Sequence, residues 1–86
     1  MADDTITITL KLFAIYQEAL GVPEKFLELP AGTTVGDVRD RLIKSHPDLA
    51  QWKDLTRFGL NLQFVGETTV LQAGDELVLI PPVSGG

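Results

Sequence analysis

The chain closes on Pro81-Pro82-Val83-Ser84-Gly85-Gly86, a run whose chemistry lies in its backbone. A terminal carboxylate is inert until one of its oxygens becomes part of a leaving group. Attack on the α-phosphate of ATP makes an acyl-adenylate, a mixed anhydride that sulfur or an amine can open. A separate enzyme doing this must draw the terminus into a buried site, and glycine, lacking a Cβ, passes through a narrow channel. Pro81 and Pro82 restrict φ and hold the base of such an arm extended. The types and spacing therefore fit a reactive tail presented by a rigid body. The competing reading is a frayed end, which Gly-Gly alone would favour. Against it, the tail follows the last strand-like segment with only Pro-Pro-Val-Ser between.

Little else along the chain offers chemistry. The absence of cysteine excludes disulfides, thiolate metal sites and a thiol nucleophile. One histidine without a cluster speaks against a metal site, and none is expected. His46, beside Pro47, has no paired nucleophile and reads as a helix-end residue. Gly32 and Gly36 are followed by no Gly-Lys-Ser/Thr, so they form no phosphate loop. Trp52 reads as partial core, and Asp75 and Glu76 as turn and rim residues. Twelve acids against seven bases give a net charge of −5. Nucleic-acid binding rests on lysine and arginine, so that partner class is not expected, whereas a basic protein partner is. The opening MADDTITITL has neither a positive segment nor a long apolar run, and no stretch reaches membrane-span length. A cytoplasmic protein without membrane contact is the expectation.

The elements that must position the tail follow from periodicity. In TITITLKLF, Ile6, Ile8, Leu10 and Leu12 share one face, and Thr5, Thr7, Thr9, Lys11 and Phe13 the other, which predicts a half-buried strand. AIYQEALG predicts a short helical turn ending at Gly21. EKFLELP predicts a second strand, antiparallel to the first and stopped by Pro30 and Gly32. Val35, Val38, Leu42 and Ile43 form a helical stripe, with Thr34 as N-cap and Asp37 three residues on. Pro47 ends that helix nearby. DLAQWKDL adds a further short helical piece, RFGLNLQFV returns to strand with Asn61 as a turn, and AGD turns into a final strand, Glu76 to Ile80. The eighty-six residues make one α+β domain, a mostly antiparallel sheet with a helix on one face. Parity sends Leu77 and Leu79 to one side of the last strand and Val78 and Ile80 to the other. Phe13 likewise lies opposite the core set of the first strand. Large apolar groups on an uncovered sheet face fit a docking surface. The alternative, equally weighted, is that a loop or the LAQW segment folds over them.

The pieces LFAIYQEALG, LPAGTTVGDVRDRL, the Asn61 turn and LQAGDELVLIPPVSGG, in this order, span nearly the whole chain. On them the sequence resembles the small sulfur-carrier proteins of the ubiquitin-like β-grasp superfamily and, within these, the small subunits of molybdopterin synthase. GDE, four residues, then PPVSGG is the sharpest match. The resemblance implies a single β-grasp domain over 1–86, a mixed sheet with one main helix, and a flexible tail at 81–86. It implies that a ubiquitin-activating-like adenylyltransferase uses ATP to adenylate Gly86, and that a sulfur donor converts it to a thiocarboxylate. The tail, residues 81 to 86, then enters the large subunit, where sulfur passes to cyclic pyranopterin monophosphate to build the dithiolene. No cofactor is held permanently. Two large and two small subunits are implied, with no catalysis by this chain alone. Phe13, Phe64 and Ile80 match the family's contacts to the large subunit. The stretch LNLQFVGETT departs from the family pattern, as does IYQ after Ala14, where arginine is common. Sulfur carriage for thiamine, cysteine or tRNA thiolation, protein modification through Gly86, and a plain interaction module with an idle tail are the alternatives.

Overall fold

The computed structural model describes residues 4–82. Strand β1 covers Thr5–Leu12, helix α1 Ala14–Leu20, strand β2 Glu24–Pro30 and helix α2 Val35–Ser45. A 3-10 helix at Pro47–Leu55 follows, then β3 at Arg57–Leu60, β4 at Gln63–Val65 and β5 at Glu76–Ile80. The sheet order is β2-β1-β5-β3-β4. β1 pairs in parallel with β5, and the other three pairings are antiparallel. The expected α+β arrangement is thus observed, with one parallel pair at its centre.

Alternation in β1 decides what faces the core. Ile8, Leu10 and Leu12 are buried, and so are their neighbours Leu77 and Leu79 on β5 and Phe58 on β3. Each such side chain contributes about 2 kcal/mol relative to exposure. Val35, Val38 and Leu42 of α2 close over this face and join the same cluster. Partly buried Ile43 and Trp52 pack against it.

Local chemistry sets the element ends. Gly21 takes a left-handed φ of 79° and caps α1, its N–H bonding the Gln17 carbonyl. Thr34 and Asp37 form a reciprocal capping box at the start of α2. The Asp37 backbone N–H donates to Thr34 Oγ1 at 3.1 Å, and the Thr34 backbone N–H donates to Asp37 Oδ2 at 3.0 Å. Gly36 sits where the 67–71 segment crosses the helix start. A Cβ there would lie 2.9 Å from the Glu67 carbonyl oxygen. Its N–H donates to that oxygen at 3.0 Å, so this glycine serves close packing.

The segment DLAQWKDL is helical as expected, but as a nine-residue 3-10 piece. Phe13 lies just beyond β1, as the extended N-cap residue of α1.

Candidate functional site

The sheet face opposite α2 is built from the other parity set. Across paired positions, Glu24, Lys11, Val78, Gly59 and Phe64 form one row. Lys11 Nζ stands 3.4 Å from Glu24 and 3.4 Å from Glu76. Its ammonium is held above the ordinary lysine range, chiefly by Glu76 and then by Glu24. This ion pairing marks the polar end of the row. The far end is apolar, since Gly59 contributes no side chain and its position lies in ordinary contact distance of Val78 and Ile80.

Two apolar hollows meet at Val78 and Ile80. One, of about 200 Å³, is bounded by Leu62 and Phe64 over Gly59. The other, of about 780 Å³, is lined by Phe13 and Ile15 together with Trp52 and Leu55. Pro81 and Pro82, the first two tail residues, line this second hollow. The structure therefore brings Phe13, Phe64 and Ile80 onto one continuous surface through Val78 and Ile80. Phe13 is 52% exposed and Phe64 75% exposed. Trp52 and Leu55 line the hollow beside Phe13 and leave Phe13 and Phe64 more than half exposed. Val83, Ser84, Gly85 and Gly86 lie outside the described residues.

Buried and turn hydrogen bonds hold the walls in place. The Tyr16 hydroxyl bonds the Thr56 hydroxyl, and Thr56 Oγ1 donates to the Trp52 carbonyl at 2.9 Å. Since the Thr56 proton is committed to Trp52, Tyr16 is the donor to Thr56. Burial pushes the Tyr16 phenol above its ordinary range. At the other hollow, Asn61 Nδ2 donates to Asp75 Oδ1 at 2.9 Å, and Glu76 N–H donates to Asn61 Oδ1 at 2.9 Å. The β3–β4 turn is thereby joined to the turn that opens β5. Asp75 Oδ2 also accepts the Gln72 N–H at 2.7 Å, which fits the turn role expected for Asp75.

Arg39 is buried although sequence periodicity gave no sign of it. Its guanidinium donates to Asp40 at 3.0 Å and to Glu67 at 2.9 Å and lies 5.5 Å from the Phe58 ring centroid. Burial lowers its proton affinity, but the two carboxylates more than offset this and raise it. Leu62, Trp52, Leu55 and Val78 were not among the expected contact residues. Parity placed Val78 on this face; an apolar residue beside Asn61 in a two-residue turn was the available signal for Leu62.

Among the described residues no cluster of three or more metal-ligating side chains occurs. No helix among them is long and apolar enough to cross a membrane. Neither hollow is lined by a paired acid and base, and their apolar walls suit contact.

The molybdopterin synthase sulfur carrier subunit of Arabidopsis thaliana is 36% identical over 87 residues, covering 99% of this chain and 91% of that protein. Small archaeal modifier protein 1 of Haloferax volcanii is 38% identical over 88 residues, covering 88% of this chain and 97% of that protein. Its crystal structure superposes with a TM-score of 0.76 at 30% identity, covering 91% of this chain and 99% of that one. A Caldiarchaeum subterraneum ubiquitin shares the fold with a TM-score of 0.65 at 24% identity, covering 95% of this chain and 99% of that one. The fold is accordingly the ubiquitin-like β-grasp. With the family model matched over residues 10–86, from the middle of β1 through the glycine tail, this chain belongs to the ThiS family.

Proposed function

We propose that this chain is the sulfur carrier and small subunit of a molybdopterin synthase, with the Gly86 carboxylate as the group that carries sulfur. The observation that carries this is the juxtaposition at the end of β5. The strand ends at Ile80 on an apolar face, and the stiff Pro81-Pro82 pair leads directly toward the two glycines. The naming of curated relatives as molybdopterin synthase sulfur carrier subunits supports the pathway.

In the proposed cycle a carboxylate oxygen of Gly86 attacks the α-phosphate of ATP on an adenylyltransferase and expels pyrophosphate. Hydrosulfide released by a sulfur donor attacks the acyl carbon, the acyl–phosphate bond breaks with AMP as leaving group, and a thiocarboxylate remains. Inside the large subunit that sulfur forms a carbon–sulfur bond with cyclic pyranopterin monophosphate, and hydrolysis of the acyl link returns the carboxylate. Two such deliveries complete one dithiolene. Phe13, Phe64 and Ile80 contact the large subunit, while Pro81 to Gly85 extend into it. Two small and two large subunits form the complete enzyme, and this chain binds no cofactor of its own.

A second reading is a protein modifier, in which a lysine amine opens the same adenylate. The similarity to small archaeal modifier protein 1 favours it. Intact mass after incubation with ATP, the activating enzyme and a sulfur donor tests the shared step. The full-length chain is expected to gain one oxygen-for-sulfur exchange, and a chain lacking Gly86 none. No exchange with an activating enzyme shown to be competent on another carrier removes the chemical basis of the proposal. Formation of the dithiolene by the sulfur-loaded chain and the large subunit supports the first reading; lysine-linked conjugates without pterin conversion support the second.

A further inference from the structure

Both central residues of the β3–β4 turn have left-handed backbone, with φ of 50° at Asn61 and 72° at Leu62. Such a two-residue hairpin turn takes Asn readily at its first position and favours Gly at its second. A leucine there is strained. Its side chain is also 93% exposed, so burial within this chain does not offset the strain. Nonetheless Leu62 is one wall of the apolar hollow completed by Phe64, Val78 and Ile80.

We propose that Leu62 is an apolar anchor for the protein that takes up the tail, the synthase large subunit, an inference that rests on the function proposed above. Reach identifies this occupant. Gly86 is six residues beyond Ile80, and six extended residues span at most about 20 Å. A protein holding the Gly86 carboxylate in its own active centre therefore has surface within that radius of Ile80. Ile80 is itself a wall of the hollow that Leu62 lines. The charged residues bonded to the turn are Asp75 and Glu76, the first bonded to Asn61 by its side chain and the second by its backbone N–H. The complementary patch is an apolar side chain flanked by lysine or arginine.

Leu62→Gly relieves the strain and removes the anchor, so stability and binding separate. Thermal melting of the full chain and calorimetric titration with the large subunit from the same organism test it, with Leu62→Met as the conservative control. Leu62→Gly is expected to melt at or above the original temperature and to bind about tenfold more weakly, while Leu62→Met binds within about twofold. Unchanged affinity in Leu62→Gly overturns the inference and leaves the sulfur-carrier proposal standing. A lower melting temperature together with weaker binding assigns Leu62 to the fold and also overturns it. Self-association of the original chain that Leu62→Gly abolishes makes a second copy the occupant and overturns it likewise. Failure of the original chain to bind the large subunit at all overturns both proposals.

Discussion

Tyr16 shows how one buried hydroxyl organises a surface that it never reaches. It is completely buried, and its bond to Thr56 ties α1 to the end of the 3-10 helix, which carries Trp52 and Leu55. Residues of both segments line the larger hollow. Tyr16→Phe removes the donor while Thr56 keeps its bond to the Trp52 carbonyl. The expected loss is about 1 kcal/mol in urea unfolding, with a shift in folded-state Trp52 fluorescence as the wall relaxes. Unchanged stability and emission would show that the hydroxyl pair holds nothing. Tyr16 was not legible as a structural residue, because its partner lies 40 positions away and the surrounding IYQ looks like a surface departure from a family pattern. The tail differs. The chemistry proposed for it needs only backbone, two stiff residues and two bare ones, so PPVSGG suggests it without reference to any contact.

At the scale of elements, the capping box of α2 was legible because its partners are only three residues apart. The Asp37 carboxyl is held below the usual carboxylate range, chiefly by the backbone N–H of Thr34 and then by the Thr34 side chain. A depressed folded-state value means that its stabilisation is present above the unfolded value of about 4 and is lost as pH falls through the folded one. Asp37→Asn is therefore expected to be less stable than the original chain at neutral pH. The gap should close as acid is added below about pH 4, in denaturant titrations across that window. A gap independent of pH would assign the effect to shape rather than charge. The close approach at Gly36 was invisible by contrast, since the Glu67 carbonyl that excludes a Cβ belongs to a distant loop. Strand periodicity likewise separated inward Leu77 and Leu79 from outward Val78 and Ile80, yet it contained nothing about which strand would lie beside β5. Parallel pairing of β1 with β5 is a tertiary fact; the family resemblance implied a mixed sheet without saying which strands run parallel.

For the whole molecule, the net charge of −5 has a kinetic consequence, even though Lys11 pairs with Glu24 and Glu76 and Arg57 stands beside Ile80 at the edge of the apolar face. Association with the large subunit is expected to slow severalfold between low salt and about 0.5 M salt, while dissociation changes little. Stopped-flow mixing across that range checks it, and a salt-independent association rate would exclude electrostatic steering. The sheet order adds a consequence for how the molecule is made. β5, the last in sequence of the five strands among the described residues, is inserted between β1 and β3. While a ribosome still holds Glu76–Ile80, the β1–β2 pair and the β3–β4 pair each keep an open edge and cannot join into one sheet. Closing the sheet brings together residues from opposite ends of the chain, a contact pattern that delays folding. Nascent chains thus pass through a stage with unpaired edges, the stage at which chaperones or neighbouring chains have access, and the apolar face that includes Val78 and Ile80 forms only after β5 is free to pair.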